Sequence, residues 1–330
     1  MSAPPISTIV AVRQGMADIL ACLEPLAAMR ERGEIAEIVV VDDASSDDTA
    51  QRAEAGGADH VIRLEHRAGP GGARNRGVAA SHAPLLWFVD ADVVVHHDAA
   101  RLLSQSFEDE RIDALFGAYG DRPMAENFLS QYKNLIHHDT HQRAAGPATT
   151  FWTGCGAVRR EAFDAVGGFD AEGYRDVGME DVDFGYRLNA AGYRIQLDPS
   201  LQGEHRKRWT LFNLLRVEIL HRALPWSRLM LSHPDTEATL NVDRGERRRA
   251  VIAGLAVIAL LGAATPWAGW PLALAAVALV AGANRRLFSF FRAKRGPWFA
   301  VRAVAFHQLY YLYSGATFVY AWLEQRLRRD

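Results

Sequence analysis

The sequence predicts an α/β fold with a mixed, mainly parallel sheet flanked by helices, followed by apolar helices near the C-terminus. Two observations support it. Short apolar runs alternate with helical patterns through the first part of the chain, and a long uncharged stretch follows from Ala250. Hydrophobic residues make up 49% of the 330 residues and charged residues 23%, which is enough apolar material for a packed core.

Four apolar runs predict the strands of the sheet, at residues 6–12, 38–41, 61–64 and 85–89. Helical patterns lie between these runs, at residues 19–29, 48–55 and 73–80. Alternating strands and helices imply right-handed crossovers and a parallel sheet. Ligands of such sheets bind at the carboxyl ends of the strands, and so the residues that follow each strand are the candidates for a functional site.

Two carboxylates follow the fourth strand, in Asp90-Ala91-Asp92. The strand is expected to end in these residues, with both carboxylates at its exposed tip and on the same side, because residues i and i+2 of a strand share a face. Carboxylate oxygens are ligands that suit Mg²⁺ or Mn²⁺. The alternative is an acidic turn that caps the next helix, and the triplet alone does not decide between the two.

Polar residues also follow the first and second strands. Arg13 comes after the first strand, and Asp42 and Asp43 come at the end of the second, where a carboxylate could accept hydrogen bonds from a nucleobase or ribose. The glycine-rich segment at residues 69–77 allows close backbone approach, and its Arg74 could contact a phosphate or a base edge. An ordinary turn is the alternative for this segment.

Two further motifs lie in the second half of the chain. Asp181 comes near the start of a predicted helix, where the helix dipole favours an ionised carboxylate that can act as a general base; a capping cluster is the alternative. The segment 204–209 could be a basic surface turn, or it could return His205 to a metal and its cations to a diphosphate. The cluster of His137, His138, Asp139 and His141 could suggest a metal, but we expect its histidines to face solvent or an acceptor.

These motifs, in this order, resemble those of family-2 glycosyltransferases with a GT-A fold, over roughly the first two thirds of the chain. The matching segments are residues 41–49, 72–77, 88–92, 152–156, 166–170 and 180–183. The resemblance implies a GT-A fold and a nucleotide-sugar donor. The residues implied in donor binding are Arg13, Asp42, Asp43, Arg74, Asp90, Trp152, Thr153, Gly154, Arg208 and Trp209.

The resemblance also implies individual roles. Asp43, with Asp42 beside it, contacts the nucleobase, and Asp90 lies near the ribose. Asp92 binds the divalent metal, Mg²⁺ or Mn²⁺. Asp181 is the catalytic base, and Glu180 supports it.

Processive members of the family carry a Gln-x-x-Arg-Trp motif after the base. This chain keeps Arg208 and Trp209 but has His205 at the position of the glutamine. In a second GT-A pattern a late histidine completes the metal site. We therefore expect His205 to be a metal ligand together with Asp92.

The implied activity is an inverting, metal-dependent, hexosyltransferase-like transfer of a sugar. The acceptor would be a hydroxyl or phosphate on a membrane lipid or a growing surface polysaccharide. One alternative is a nucleotidyltransferase, which would need a lysine in a glycine-rich loop after the first strand, where this chain has Val12-Arg13-Gln14-Gly15. Another is a catalytically silent membrane scaffold, against which the intact Asp92, Asp181 and His205 argue.

The uncharged stretch at residues 250–283 predicts a membrane hairpin with its turn at residues 265–271. Basic runs at residues 244–249 and 285–295 flank it, and a hairpin would place both on the cytoplasmic side. A third apolar helix at residues 298–323 is expected to span the bilayer or to lie at its interface.

The domain prediction follows from this change in composition. A catalytic domain is expected at residues 1–241 and a membrane region at residues 242–330. We expect the protein at the cytoplasmic membrane with its catalytic domain facing the cytoplasm. The formal net charge of −2 argues against a nucleic-acid partner. The separated Cys22 and Cys155 indicate a reducing compartment, and no secretory signal is expected.

Overall fold

The structure of the chain, a computed structural model, describes residues 4–175, 178–232, 244–263 and 269–328. The contacts between residues divide the chain into an N-terminal unit, Met1–Thr210, and a C-terminal unit, Leu211–Asp330. The predicted domain boundary between residues 241 and 242 lies outside the described residues.

The N-terminal unit contains nine described strands and seven described helices. The strands are β1 (Ile6–Val12), β2 (Glu37–Asp42), β3 (His60–Arg63), β4 (Leu85–Val89), β5 (Val93–Val95), β6 (Ala114–Tyr119), β7 (Gly146–Ala148), β8 (Cys155–Arg159) and β9 (Ile195–His205). The helices are α1 (Ile19–Glu31), α2 (Thr49–Ala55), α3 (Gly69–Ala79), α4 (Ala99–Ser106), α5 (Phe128–Arg143), α6 (Arg160–Ala165) and α7 (Glu180–Ala190). All nine strands belong to one sheet, in the order β3-β2-β1-β4-β8-β6-β9-β5, with β7 paired to β9.

One half of the sheet is parallel. Strands β1 and β2, β1 and β4, and β2 and β3 pair in parallel, and the four strands occur where the sequence predicts them. Every residue of β2 and of β4 is buried, which is why their sequences are almost continuous apolar runs.

The other half of the sheet is mixed. Strand β8 is antiparallel to β4 and β6, and β9 is parallel to β6 but antiparallel to β5 and β7. The pairing of β6 with β9 shifts register between Phe116 and Ala118. Gly117 lies at this shift, where a Cβ atom would come within 2.0 Å of the Leu201 carbonyl oxygen. The prediction of a mixed, mainly parallel sheet flanked by helices is confirmed.

Apolar clusters hold the helices to the sheet. The first packs α1 and α4 against it and contains Trp87 of β4. Phe88, the next residue of β4, belongs to a second cluster, because successive strand residues point to opposite faces. In that cluster the Phe88 ring centroid lies 5.2 Å from Phe169, and Phe169 lies 4.7 Å from Phe184 of α7. These contacts fix the start of α7 close to the end of β4.

The described part of the C-terminal unit is helical. Its elements are α8 (Leu211–Arg216), a π-helical segment (Val217–Ala223), α9 (Leu224–Ser232), α10 (Arg244–Ala263), α11 (Gly269–Ala283), α12 (Arg285–Arg295) and α13 (Pro297–Leu327). The two arms of the predicted hairpin correspond to α10 and α11, and most of its predicted turn, including Pro266 and Trp267, lies outside the described residues. The third predicted apolar helix falls within α13.

Within the described ranges, none of the helices alone has both the length and the apolar composition needed to cross a bilayer. The consecutive helices α11 and α12, bent by 70° at their junction, meet both criteria as a pair.

Candidate active site

The carboxylates at the end of β2 are buried and already hold backbone groups. Asp43 is 4% exposed, and its two oxygens accept hydrogen bonds from the backbone N–H groups of Ala68 (2.6 Å) and Gly69 (3.0 Å). The Asp42 carboxylate accepts one from the N–H of Ser45 at 3.0 Å. Both residues therefore shape the loops that follow β2 and precede α3, and their contact with a nucleobase stays a prediction.

The loops that follow β1 and β2 are tied together through Gln14. Its side-chain Nε2 donates to Ser46 Oγ at 2.8 Å, and its Oε1 accepts from the Ser46 N–H at 3.1 Å. Gln14 and Ala44 both have a left-handed backbone, with φ of 53° and 57°. Such strain, about 1 kcal/mol or more per residue, persists where contacts over-determine the conformation. Arg13 is exposed beside this linkage, and its donor contact stays a prediction.

Arg74 joins two carboxylates in the centre of the site. This arginine of α3 is buried, and its guanidinium donates to Asp90 Oδ1 at 2.7 Å and to Glu180 Oε1 at 2.6 Å. Burial lowers the pKa of Arg74, but the charges of Asp90 and Glu180 outweigh it and the net shift is upward. The other oxygen of Glu180, Oε2, is buried and has no hydrogen-bond partner in the described part of the chain. Arg74 thus positions both acids, and its contact with a nucleotide stays a prediction.

The neighbour of Arg74 is a structural residue that the sequence did not single out. Asn75 donates from Nδ2 to the Phe169 carbonyl at 2.8 Å and accepts at Oδ1 from the Phe169 N–H at 3.0 Å. This pairing fixes α3 to the segment before α7. The sequence could have indicated Asn75, because it directly follows Arg74 within one of the family motifs.

The Asp90-Ala91-Asp92 triplet is a turn, and the expectation that strand alternation orients its two acids is wrong. Strand β4 ends at Val89 and β5 begins at Val93, whose N–H donates to the Asp90 carbonyl at 2.9 Å. Because the chain turns here, the two side chains separate. Asp90 reaches Arg74, whereas Asp92 Oδ2 lies 3.5 Å from His205 Nε2.

The pairing of β5 with β9 brings His205 to Asp92. Val93 pairs with His205, and the Arg206 N–H donates to the Asp92 carbonyl at 2.9 Å. The His205 ring is 8% exposed and stacks on Tyr119 at a centroid distance of 4.4 Å and an angle of 14°. Burial raises the pKa of Asp92, but the hydrogen bond and charge of His205 and the charge of Lys207 outweigh this, so the net shift is downward.

These two side chains fit a divalent cation. They present one carboxylate oxygen and one imidazole nitrogen 3.5 Å apart, and both are donor types that a divalent transition metal accepts. Within the described ranges, no group of three or more His, Cys, Asp or Glu side chains is placed to hold a metal. A Mg²⁺ or Mn²⁺ ion would therefore take its remaining ligands from phosphate oxygens and water, as such ions commonly do.

The side chains of the basic segment after His205, residues 206–209, have different surroundings. Arg206 donates to Asp18 Oδ1 at 2.8 Å, and Lys207 Nζ lies 4.5 Å from the centroid of the Trp209 ring. Trp209 is 2% exposed, and its backbone N–H donates to Ser130 Oγ at 2.8 Å. Arg208 is exposed. The charge of Lys207 contributes to the lowered pKa of Asp92. Donor contacts of Arg208 and Trp209 stay predictions.

Asp181 is the second residue of α7, as the sequence predicts. Its Oδ2 lies 3.4 Å from the Thr153 N–H nitrogen and 3.5 Å from Thr153 Oγ1. Burial, followed by the charges of Glu180 and Asp90, raises the pKa of Asp181 to about 7, against the opposing effect of Arg74. A carboxylate with a pKa near neutrality is suited to take a proton as a general base.

The segment Trp152-Thr153-Gly154 connects the two acidic positions. The Gly154 carbonyl accepts from the Asp90 N–H at 3.3 Å, while the buried Thr153 contacts Asp181. Gly154 is required because the Trp152 ring lies over it, and a Cβ atom would come within 2.1 Å of that ring. Trp152 remains partly exposed at the site, and its contact with a donor stays a prediction.

Two histidines of α5 are buried, and the expectation that they face solvent or an acceptor is wrong for them. His138 Nδ1 lies 2.8 Å from the Tyr119 carbonyl oxygen and His141 Nδ1 lies 2.8 Å from that of Gly117. Burial lowers the pKa of His141 to about 4. These side chains hold the end of β6, and with it the Tyr119 ring on which His205 stacks.

Comparison with known families gives two matches. The profile "Glycosyl transferase family 2" matches residues 7–167, and "N-terminal domain of galactosyltransferase" matches residues 135–208. Together they contain every predicted site residue except Trp209.

Two curated relatives are similar over part of their length. "Succinoglycan biosynthesis protein ExoU" of Rhizobium meliloti (strain 1021) is 39% identical over 95 residues, 28% of this chain and 27% of the relative. "Pre-mycofactocin glycosyltransferase" of Mycobacterium tuberculosis (strain CDC 1551 / Oshkosh) is 29% identical over 193 residues, 56% of this chain and 40% of the relative. The chain therefore matches less than half the length of each.

A solved structure, "Mannosyltransferase PcManGT from Pyrobaculum calidifontis in complex with GDP-Man and Mn2+", has 20% sequence identity and a TM-score of 0.53. The alignment covers 93% of this chain and 87% of that chain. At this identity the similarity shows the fold, and it confirms the GT-A architecture. The motifs, the fold and the profile agree, and residues 7–167 of the chain match glycosyl transferase family 2.

Proposed function

We propose that the chain transfers a sugar from a nucleoside diphosphate donor to a hydroxyl or phosphate acceptor, with inversion at the anomeric carbon. The observation that carries this proposal is that one site combines two features: a carboxylate suited to act as a base, and a carboxylate and an imidazole suited to hold a metal. Asp181 has a pKa of about 7, and Asp92 lies 3.5 Å from His205. The two features are connected through protein contacts. Arg74 binds Asp90 and Glu180, and the Trp152-Thr153-Gly154 segment contacts Asp90 and Asp181.

Asp92 and His205 would hold a divalent metal, and the bound cation would supply Lewis-acid stabilisation of the diphosphate as it leaves. The solved mannosyltransferase that shares the fold is described in complex with Mn²⁺ and GDP-Man, which supports this choice of cofactor and donor class. Lys207, held against the Trp209 ring, adds a positive charge on the same side as Asp92.

Asp181 performs the proton transfer. Its carboxylate removes the proton of the acceptor hydroxyl while that oxygen attacks the anomeric carbon of the donor sugar. The bond between that carbon and the diphosphate oxygen breaks, and the electron pair leaves with the nucleoside diphosphate. A phosphate acceptor attacks in the same geometry without needing the base. One displacement inverts the anomeric centre, and no general acid is needed for a diphosphate leaving group.

The acceptor class is the remaining part of this proposal. We place it on a membrane lipid or a growing surface polysaccharide, with transfer at the cytoplasmic membrane and the N-terminal unit on the cytoplasmic side. A relative described by its role in succinoglycan biosynthesis supports a polysaccharide acceptor. The apolar helices of the C-terminal unit support the membrane location.

A donor panel tests the proposal. The full chain is incubated with Mn²⁺ and UDP-, GDP- or TDP-sugars, and release of the nucleoside diphosphate is measured with and without lipid-linked acceptors. We expect one nucleotide class to be consumed, and NMR of the glycosylated product to show the anomeric configuration opposite to that of the donor. Retention of configuration, or no turnover of any donor by a chain that binds nucleotide and Mn²⁺, would refute it.

A further inference from the structure

Two helices of the C-terminal unit expose rows of large apolar side chains. Spacings of three and four residues put each row on one face of its helix. The α10 row is Val251, Leu255, Ile258 and Leu261, which are 62, 53, 68 and 69% exposed. The α11 row is Trp270, Leu274 and Val277, which are 74, 58 and 59% exposed. We call these side chains the apolar rows.

The residues that α10 and α11 bury are small. Ala253, Ala256 and Ala276 are only 2, 5 and 3% exposed. The two helices meet at Gly262, where a Cβ atom would lie 3.2 Å from Leu272 Cδ2. A helix in water buries its large apolar residues and exposes polar ones. Here the order is reversed, with small residues inside and large apolar residues outside, which is how helices pack in lipid.

One tyrosine shows where the ends of the two helices lie. The Tyr311 hydroxyl is 3.0 Å from Oε2 of Glu246, in the first turn of α10, and 3.4 Å from Oδ1 of Asn284, which directly follows α11. The beginning of α10 and the end of α11 therefore lie together at one end of the pair.

Exposed arginines cluster at that end. Arg247 and Arg248 lie in the beginning of α10, and Arg285 and Arg286 follow the end of α11. Apolar rows that begin beside a group of arginines match the two layers of a bilayer. The hydrocarbon layer accepts the rows, and anionic headgroups attract the guanidinium groups.

We infer that α10 and α11 insert the apolar rows into a bilayer that contains anionic lipids, with the four arginines at the level of the headgroups. The inference rests on the proposed membrane location and specifies the lipid class and the side chains in contact with it. A second copy of the chain could also cover the rows. A contact between two copies with the rows parallel would bring the arginine groups of both copies together, and like charges repel.

Fluorescence quenching tests the apolar rows in the full chain. Ile258→Cys is labelled with an environment-sensitive fluorophore and reconstituted into vesicles of phosphatidylcholine and phosphatidylglycerol. The native Cys22 and Cys155 are fully buried, and the unsubstituted chain measures their background labelling. Leu20→Cys on α1, at a position 41% exposed in the N-terminal unit, is the matched control.

We expect the Ile258 label to emit at shorter wavelength and to be quenched several-fold more by nitroxide on the acyl chains than by aqueous iodide. The Leu20 label should show the opposite preference. Iodide quenching at Ile258 as strong as at Leu20 would overturn the inference. Protection of the Ile258 label from both quenchers would also overturn it, because that result indicates burial against protein.

Vesicle flotation tests the arginines. Arg285→Gln/Arg286→Gln should weaken binding to vesicles with phosphatidylglycerol by about tenfold and make binding less sensitive to salt. Arg111→Gln/Arg122→Gln, which changes two arginine side chains exposed by 75 and 88% in the N-terminal unit, should have little effect. Equal losses in both variants, or none, would remove the headgroup contact. Both experiments omit donor and acceptor, so their failure is distinct from a failure of the proposed glycosyl transfer.

Discussion

His205 Nε2 lies 3.5 Å from Asp92 Oδ2 because β5 and β9 pair with Val93 opposite His205. Two protein ligands leave most of the coordination shell of a divalent cation to other donors. We therefore expect Mn²⁺ to bind the chain alone weakly, and at least about tenfold more tightly when its nucleoside diphosphate is present. Electron paramagnetic resonance of free Mn²⁺, with and without nucleotide, measures this difference.

The histidine in that pair can be tested separately. His205→Ala should reduce the nucleotide-dependent affinity for Mn²⁺ by about tenfold or more, because it removes the imidazole that we propose as a ligand. His97→Ala, at an exposed position that follows β5, is the control and should leave the affinity unchanged. An unchanged affinity in His205→Ala would exclude His205 as a ligand.

Asp181→Asn should lower kcat by roughly 10²- to 10⁴-fold while the affinity for the donor stays the same. Asparagine keeps the shape of the side chain beside Thr153 but cannot take a proton. Calorimetry with Mn²⁺ measures donor binding, and initial rates measure turnover. Asp183→Asn is the matched control, since the Asp183 carboxylate is engaged by Arg187 at 2.8 Å and should affect turnover much less. Near-normal turnover in Asp181→Asn would remove this residue from the mechanism.

The parallel half of the sheet could be predicted because its strands are buried on both faces. The apolar runs of β2 and β4 stand out against the helical spacing around them. Strands β6 and β9 carry weaker signals, because Gly117 interrupts the first and Pro199 the second. Their partners are also distant in sequence, and no local pattern specifies such pairing.

The active site also contains features that local sequence patterns predict and features that depend on contacts between distant segments. The position of Asp181 at the start of α7 follows from local helical spacing, so the sequence located it correctly. The meeting of Asp92 with His205 depends on one register between two strands, and the sequence supported it only through family resemblance. The burial of Arg74 between two acids depends on α3 and α7 lying side by side, which no local pattern encodes.

The pKa of Asp181 predicts how turnover depends on pH. The base works only when ionised, and burial and neighbouring charges raise its pKa to about 7. We expect kcat for a hydroxyl acceptor to rise with pH through about 7 and to level off above it. The residual activity of Asp181→Asn should lack this rise. The measurement covers roughly pH 5.5 to 8.5, about three units around the pKa, under conditions in which chemistry is rate-limiting. A constant kcat of the unsubstituted enzyme over this range would contradict the role of Asp181 as the base.

The same shift predicts a dependence of stability on pH. The pKa of Asp181 is raised to about 7 in the folded chain from its ordinary value of 3.8, so the folded state binds more protons than the unfolded state between these two values. Stability from this group is therefore lost as pH rises through about 7. Asparagine stays neutral, so the variant does not lose this stability as pH rises. The Tm of Asp181→Asn minus the Tm of the unsubstituted chain should therefore increase from pH 5 to pH 8, roughly the pH range over which Asp181 loses its proton in the folded chain. A difference that does not change with pH would show that Asp181 is not held in a site that disfavours its charge.

Arg74→Gln tests the buried link between Asp90 and Glu180. Removing the guanidinium leaves the buried Glu180 carboxylate and the partly exposed Asp90 carboxylate without their cation. Breaking a buried pair costs about 3–5 kcal/mol, and the 31% exposure of Asp90 puts the expected loss near the lower end of that range. For a unit of this size the loss corresponds to a fall in Tm of roughly 10 °C. Arg74→Gln/Glu180→Gln removes one of the two stranded charges and should recover part of that loss, so the two substitutions should not be additive. Thermal unfolding of the unsubstituted chain, both single variants and the double variant gives this coupling. Strict additivity would mean that the 2.6 Å contact between Arg74 and Glu180 contributes little to the fold.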